Sequence, residues 1–217
     1  MKKDLSDFLK TCLIYVILCI ATFLMFRMVI AYSKLDDHVG FLNEKQAYLS
    51  NQVWKFAFYF HVFSAVFCLL AGFTQFSNQL LKERRKVHRF MGRMYAYTIF
   101  LNFPIGLVMA YYANGYWPSK LAFFILDGLW CWFTLKAIIE AKRGNFSLHR
   151  NYMIRSYALT FSAITLRSWK LVLSNTTSID PTMLYMIDAW LGFVPNLLVA
   201  EYIIRFRLKK DQLTSKI

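Results

Sequence analysis

Two phrases of this chain nearly repeat one another: K-V-H-R-F-M-G-R-M-Y-A from Lys86 and S-L-H-R-N-Y-M-I-R-S-Y-A from Ser147. Each sets a His-Arg pair ahead of an apolar run, then an Arg, then Tyr-Ala, with one extra residue between His and Arg in the second copy. Two neutral imidazoles at one depth on different helices are what a b-type haem requires of its axial ligands, so His88 and His149 are candidate ligands to a haem iron. Gly92, one turn beyond His88, would give a flat macrocycle room beside the backbone. Arg89, Arg93, Arg150 and Arg155 would pair with its propionates. The same pattern also suits an interfacial anchor, with basic groups snorkelling to lipid phosphate. The sequence leaves both open.

A second constellation lies deeper. His61, Asp127 and Arg167 fall inside apolar blocks, with Arg27 and Asp188 somewhat nearer the outer end. Ionisable groups in a bilayer are costly and either pair or line a polar pathway. A cavity built on His61, Asp127 and Arg167 could take an anion, a quinone headgroup or a proton, or Asp127 and Arg167 could form an ion pair that locks the bundle. Asp36, Asp37 and His38 read as a solvated loop. No Walker loop, nucleophile elbow, H-E-x-x-H or dinucleotide fingerprint occurs, so nucleotide chemistry of the soluble kind is not expected. Cys12, Cys19, Cys68 and Cys131 all lie in apolar blocks without C-x-x-C spacing, which argues against disulfides and zinc.

The elements that must position these groups are membrane helices. The chain has 217 residues, 58% of them hydrophobic and 18% aromatic, with mean hydropathy +0.37. Its apolar residues fall in blocks about 20 long, the length that crosses a bilayer core. Six spans are expected, at 11–32, 53–73, 93–112, 121–140, 152–173 and 183–204, in a single integral membrane domain over 1–217. The first block is too long for a signal-peptide core and lacks a small-residue cleavage pattern, so it reads as a retained helix. The formal charge of +14 is unevenly spread. Only Arg27, Lys34, Lys45, Lys55, Lys120, Arg167 and Lys170, seven of the 26 basic residues, fall on the side opposite the termini. The other nineteen mark the termini as cytoplasmic and suggest contact between basic loops and anionic headgroups. With no soluble domain to present a site, nucleic acid is not expected as a partner.

Polar and small residues recur at helical spacing. The second span carries His61, Ser64, Ala65, Cys68, Gly72 and Gln75; the third His88, Gly92, Tyr95, Asn102 and Gly106; the fourth Asp127, Cys131 and Thr134; the fifth His149, Ser156, Thr160, Ala163 and Arg167. Such stripes face protein rather than lipid. The expected fold is therefore all-α and polytopic, with spans two to five as an inner four-helix bundle and spans one and six outside it. The loop from about Ser33 to Gln52 could form a short interfacial helix. Pro104, Gly106 and Pro195 could break their helices as transporters do, and Trp130 and Trp132 read as bulk.

The stretches L-A-G-F-T-Q-F from Leu70, V-H-R-F-M-G-R-M-Y from Val87 and L-H-R-N-Y-M-I-R-S-Y-A-L-T-F-S-A-I-T-L-R from Leu148 resemble the bacterial membrane family catalogued as domain of unknown function 2306. The resemblance runs from about Phe60 to Trp169. It implies a multi-pass protein of the bacterial cytoplasmic (inner) membrane and brings no activity, substrate or site. The leading expectation is a redox or cofactor-binding protein holding haem b, with a quinone or redox partner. The alternatives are a small-solute, quinone or proton carrier and a non-enzymatic scaffold. Whether the chain is an enzyme is left open.

Overall fold

In the computed structural model, the described residues are 2–76 and 78–214, with side chains other than those of 2–11, 14, 72–74, 78–80 and 209–214. Gly72 of the second stripe and the basic side chains of both tails lie outside that set. The described residues are helical, without strands: α1 (Lys2–Ala31), α2 (Gln52–Gln75), α3 (Asn78–Glu83), α4 (Arg85–Tyr111), α5 (Tyr116–Lys142), α6 (Phe146–Thr160), α7 (Ser162–Thr176), α8 (Pro181–Leu191) and α9 (Val194–Thr214). Two compact units form along the chain, Met1–Thr98 and Ile99–Ile217.

Five segments among the described residues are long and apolar enough to cross a membrane: Tyr15–Lys34, Gln52–Ala71, Arg85–Tyr111, Tyr116–Lys142 and Pro181–Leu208. The expected fifth span at 152–173 is not among them. It divides at Phe161 into α6 and α7, of 15 residues each, shorter than the ~20 needed to span alone. Phe161 keeps helical angles (φ −67, ψ −15), but Ile164 N–H reaches its carbonyl at 2.9 Å, a tight i−3 bond. The hydroxyls of Thr160, Ser162 and Thr165 bond back to the carbonyls of Ser156, Ala158 and Phe161. Such back-bonding bends a helix. Pro195, the second residue of α9, restarts the last span after Gly192 and Phe193, because a proline suits a helix's first turn and not its interior.

In the first unit, the loop after α1 includes a 3₁₀ segment, Gly40–Tyr48, with non-helical angles at Lys45. It packs on the start of α2 through aromatic rings. Trp54 stacks on Phe58 at 5.5 Å, and Tyr32 meets Phe58 edge-on at 5.2 Å. The Tyr32 hydroxyl accepts the Phe41 N–H at 3.0 Å. It would lie 2.7 Å from a Cβ at Gly40, whose φ is +54, so glycine suits that turn both sterically and conformationally. Buried Lys45 sits over the rings of Phe41 and Tyr48. Asp37 pairs with Lys55 at 2.8 Å, and Asp36 accepts the His38 N–H, so these acids are occupied within the loop.

The second unit centres on the antiparallel hairpin of α5 and α6. Ser119, Ala122, Asp127, Trp130, Thr134, Ala137 and Glu140 are the buried residues of α5. Their steps of three to five residues make one face. The last span, expected as a uniformly apolar outer helix, is instead bonded into this unit through polar side chains. Glu201 holds Arg155 of α6 with two bonds at 2.5 and 3.0 Å, and Arg207 donates to Asn151.

Candidate functional site

A ladder of polar contacts runs down the α5–α6 seam. Trp130 Nε1 donates to Thr160 Oγ1 at 3.0 Å. Thr134 Oγ1 donates to the Trp130 carbonyl at 2.8 Å, which leaves Ser156 Oγ as donor in the 2.7 Å contact between the two hydroxyls. Farther along, His149 Nδ1 lies 2.8 Å from the Ala137 carbonyl. Asn145 and Arg143 both donate to Glu140, at 2.8 and 3.0 Å. Successive α5 residues meet progressively earlier residues of α6, and last the loop leading into it, as antiparallel helices demand. Trp130, expected as bulk, supplies a donor to the seam.

The bend at Phe161 and the break at Gly192–Phe193 are joined by one side chain. Asn196 Nδ2 reaches the Ala158 carbonyl at 3.2 Å, Thr165 Oγ1 at 2.9 Å and the Gly192 carbonyl at 3.2 Å. Thr165 Oγ1 also donates to the Gly192 carbonyl at 2.5 Å. Interrupted helices are an arrangement in which membrane carriers place ion and substrate sites, and here the break residues Phe161 and Gly192 both keep helical angles. Sequence reading missed Asn196 and Glu201, whose roles depend on partners more than thirty residues away.

Two carboxyls in this unit stand apart from these contacts. Asp127 is 8% exposed and its Oδ2 has no hydrogen bond; Asp188 is 2% exposed and neither oxygen has one. The Asp127 carboxyl lies flat against Gly106 of α4, where a Cβ would meet its Cγ and both oxygens at 2.7 Å. Asp127 comes eleven residues into α5, ~17 Å at ~1.5 Å per residue, which is near the middle of a ~30 Å hydrocarbon core. Phe123 of α5 and Tyr185 of α8 meet at 6.1 Å. Tyr185 also stands beside the start of α5, its Cδ1 3.1 Å from where a Cβ at Gly115 would lie.

His88 and His149 are each the fourth residue of their helix, α4 and α6, and each is half-buried, so both begin their helices as expected. Beside His88, Gln75 Nε2 donates to the His88 carbonyl at 3.1 Å, and Gln75 Oε1 would lie 3.0 Å from a Cβ at Gly92. The room expected at Gly92 is thus filled by Gln75. Arg89, Arg93 and Arg150 are exposed. Arg155 is half-buried, held by Glu201 and stacked over Phe133 and Tyr152, so the guanidinium expected to meet a propionate already has a carboxylate. His149 retains one feature of a ligand: a carbonyl only accepts, so Nδ1 carries the proton and Nε2 keeps its lone pair.

Among the members of the expected polar cavity, His61 is half-buried on α2. Arg167 is exposed, and its guanidinium donates to the Ala163 carbonyl at 2.5 Å. Among the described residues, no group of three or more His, Cys, Asp and Glu side chains could hold a metal ion.

The family of predicted membrane proteins known as DUF2306 matches residues 58–204, and the chain belongs to it. The match reaches beyond the expected limit at Trp169 to include the last span. No curated protein and no solved structure matches the chain.

Proposed function

We propose that this member of the DUF2306 family is a proton-linked carrier, and that Asp127 and Asp188 exchange the proton. The observation that carries the reading is their burial: two acids enclosed in one unit, with oxygens that no hydrogen bond satisfies. Inside a bilayer such groups mark ion and proton pathways. The short interruptions between α6 and α7 and between α8 and α9 add the broken spans that carriers use. In this reading α6 and α7 cross the membrane together as one bent span, giving six spans with both termini in the cytoplasm of a bacterial cell, and spans two to five form the inner bundle. The expected cavity of His61, Asp127 and Arg167 becomes one of Asp127 and Asp188. The test is proton flux into proteoliposomes carrying a trapped pH-sensitive dye, driven by a potassium–valinomycin potential. Asp127→Asn, which preserves volume, should lower the flux at least ~10-fold while the protein elutes and unfolds as wild type. Flux that survives this change, or wild-type liposomes no more permeable than empty ones, defeats the reading.

A second reading is favoured by the orientation of His149 alone. Haem b between His88 and His149 would use the Nε2 lone pair, and a quinone would be its redox partner. The filled notch at Gly92 and the occupied Arg155 weigh against it. A reduced-minus-oxidised visible spectrum of protein purified from haem-supplemented cells tests it directly.

A further inference from the structure

Arg150 and Ile154 of α6 line an open groove with Tyr202, Ile203, Phe206 and Arg207 of α9. We propose that this groove binds one anionic phospholipid of the adjoining leaflet, its phosphate between Arg150 and Arg207 and an acyl chain along the apolar wall. The proposal is independent of the carrier reading. The groove is two-toned along its length. At its head, Arg150 is exposed, and the Arg207 guanidinium is fixed by donating to Asn151 Oδ1, to the Ser147 carbonyl at 3.4 Å and to Ser147 Oγ at 3.5 Å. Below them, Tyr202, Ile203 and Phe206 are exposed by 70%, 48% and 65%, and Tyr202 stacks on Phe206 at 6.4 Å. Among the described residues no acid lines the groove; Glu201, adjacent on α9, is committed to Arg155.

Charge complementarity selects the occupant. Two guanidiniums without a lining carboxylate attract phosphate, and arginine presents a planar fork suited to its oxygens. An apolar wall continuous with the head calls for a chain attached to that phosphate, which a soluble phosphate ester lacks. Basic clefts between membrane helices near the headgroup region are suited to anionic lipid. Arg150 is the side chain to change, because it is exposed and makes no contact on which the fold depends.

The experiment is native mass spectrometry of the full chain released from phosphatidylcholine nanodiscs containing phosphatidylglycerol, with a titration of lipid retention. The wild-type protein should retain one phosphatidylglycerol in preference to phosphatidylcholine. Arg150→Gln should lower that preference about five- to tenfold, the effect of one basic group near a lipid surface. Lys142→Gln, an exposed charge on the same side of the unit but outside the groove, should leave it unchanged. Equal loss in both variants would reduce the effect to diffuse surface charge and overturn the site. Equal competition by soluble glycerol phosphate would overturn the lipid assignment in favour of a free phosphate ester. Phe206→Ser checks the wall: it should weaken retention of phosphatidylglycerol without affecting glycerol phosphate, and unchanged retention would refute the acyl-chain half of the proposal.

Discussion

Gly106 offers a substitution whose sign should reverse with its background. An alanine Cβ there would stand 2.7 Å from Cγ, Oδ1 and Oδ2 of Asp127, against roughly 3.5–4.0 Å for relaxed contact between carbon atoms. All three atoms belong to one short buried side chain, so relief requires the whole carboxyl to move. Overpacking of this kind costs about 1–3 kcal/mol. Replacing glycine by alanine within a helix returns ~1 kcal/mol. The net expectation for Gly106→Ala is a loss of up to ~2 kcal/mol. In an Asp127→Ala background the clash is gone, and the same change should be neutral or stabilise by up to ~1 kcal/mol. The coupling between the sites is then about 1–3 kcal/mol, within the range for residues in contact. Unfolding of the four variants in detergent micelles, followed by tryptophan fluorescence, measures it. Additivity within ~0.5 kcal/mol would refute the packing of Asp127 on Gly106, and with it the enclosure on which the proton site depends.

Arg155→Ala removes the partner of Glu201 and should destabilise the protein by about 1–3 kcal/mol, as expected for hydrogen bonds to a charged group. The double change Arg155→Met with Glu201→Leu should recover most of that loss, read from the same micellar unfolding; an unaltered midpoint in Arg155→Ala would refute the role of the pair. Topology reporters fused after Lys45, Trp117 and Thr176 should report the outer side, and those after Lys86 and Asn145 the cytoplasm, from the basic asymmetry. Reversal at two or more sites would refute the orientation, and an inside report after Thr176 would refute α6–α7 as one bent span.

What could be read from the sequence were features of single helices. Apolar runs located α1, α2, α4, α5 and the last span, because length against bilayer thickness requires no knowledge of neighbours. Periodicity placed Asp127, Thr134, Ser156 and Thr160 on buried faces, since side-chain spacing in a helix is fixed by backbone geometry. The bend at Phe161 was not legible. The hydroxyls of Thr160, Ser162 and Thr165 bond back to their own backbone, and Thr160 and Thr165 also bond to Trp130, Gly192 and Asn196 of other helices, partners that spacing along one helix does not announce. Gly92 was read as room for a macrocycle, but Gln75 of another helix stands in that space and nothing in the spacing announces it. Arg155 was assigned to a ligand because Glu201, 46 residues away, is an isolated acid in an apolar block.

The acids of the second unit make the case for Asp127 and Asp188 by contrast. Asp180 caps α8, accepting the N–H groups of Thr182 and Met183. Glu140 takes Asn145 and Arg143 at the end of α5, and Glu201 takes Arg155. These three acids are satisfied, each in a setting that needs nothing from outside the unit. Asp127 and Asp188 are more deeply buried than Asp180 or Glu201, and hold oxygens without a hydrogen bond. A fold that had merely to be stable would gain from an apolar residue at either position, because an unsatisfied buried polar group costs about 1–3 kcal/mol. Two such costs in one unit with two interrupted helices are what a site that must repeatedly take and release a proton would require. A purely structural account predicts that Asp127→Asn and Asp188→Asn are harmless to flux and neutral or favourable to stability. The carrier account agrees on stability and predicts loss of flux. Measuring both quantities on the same two variants separates them.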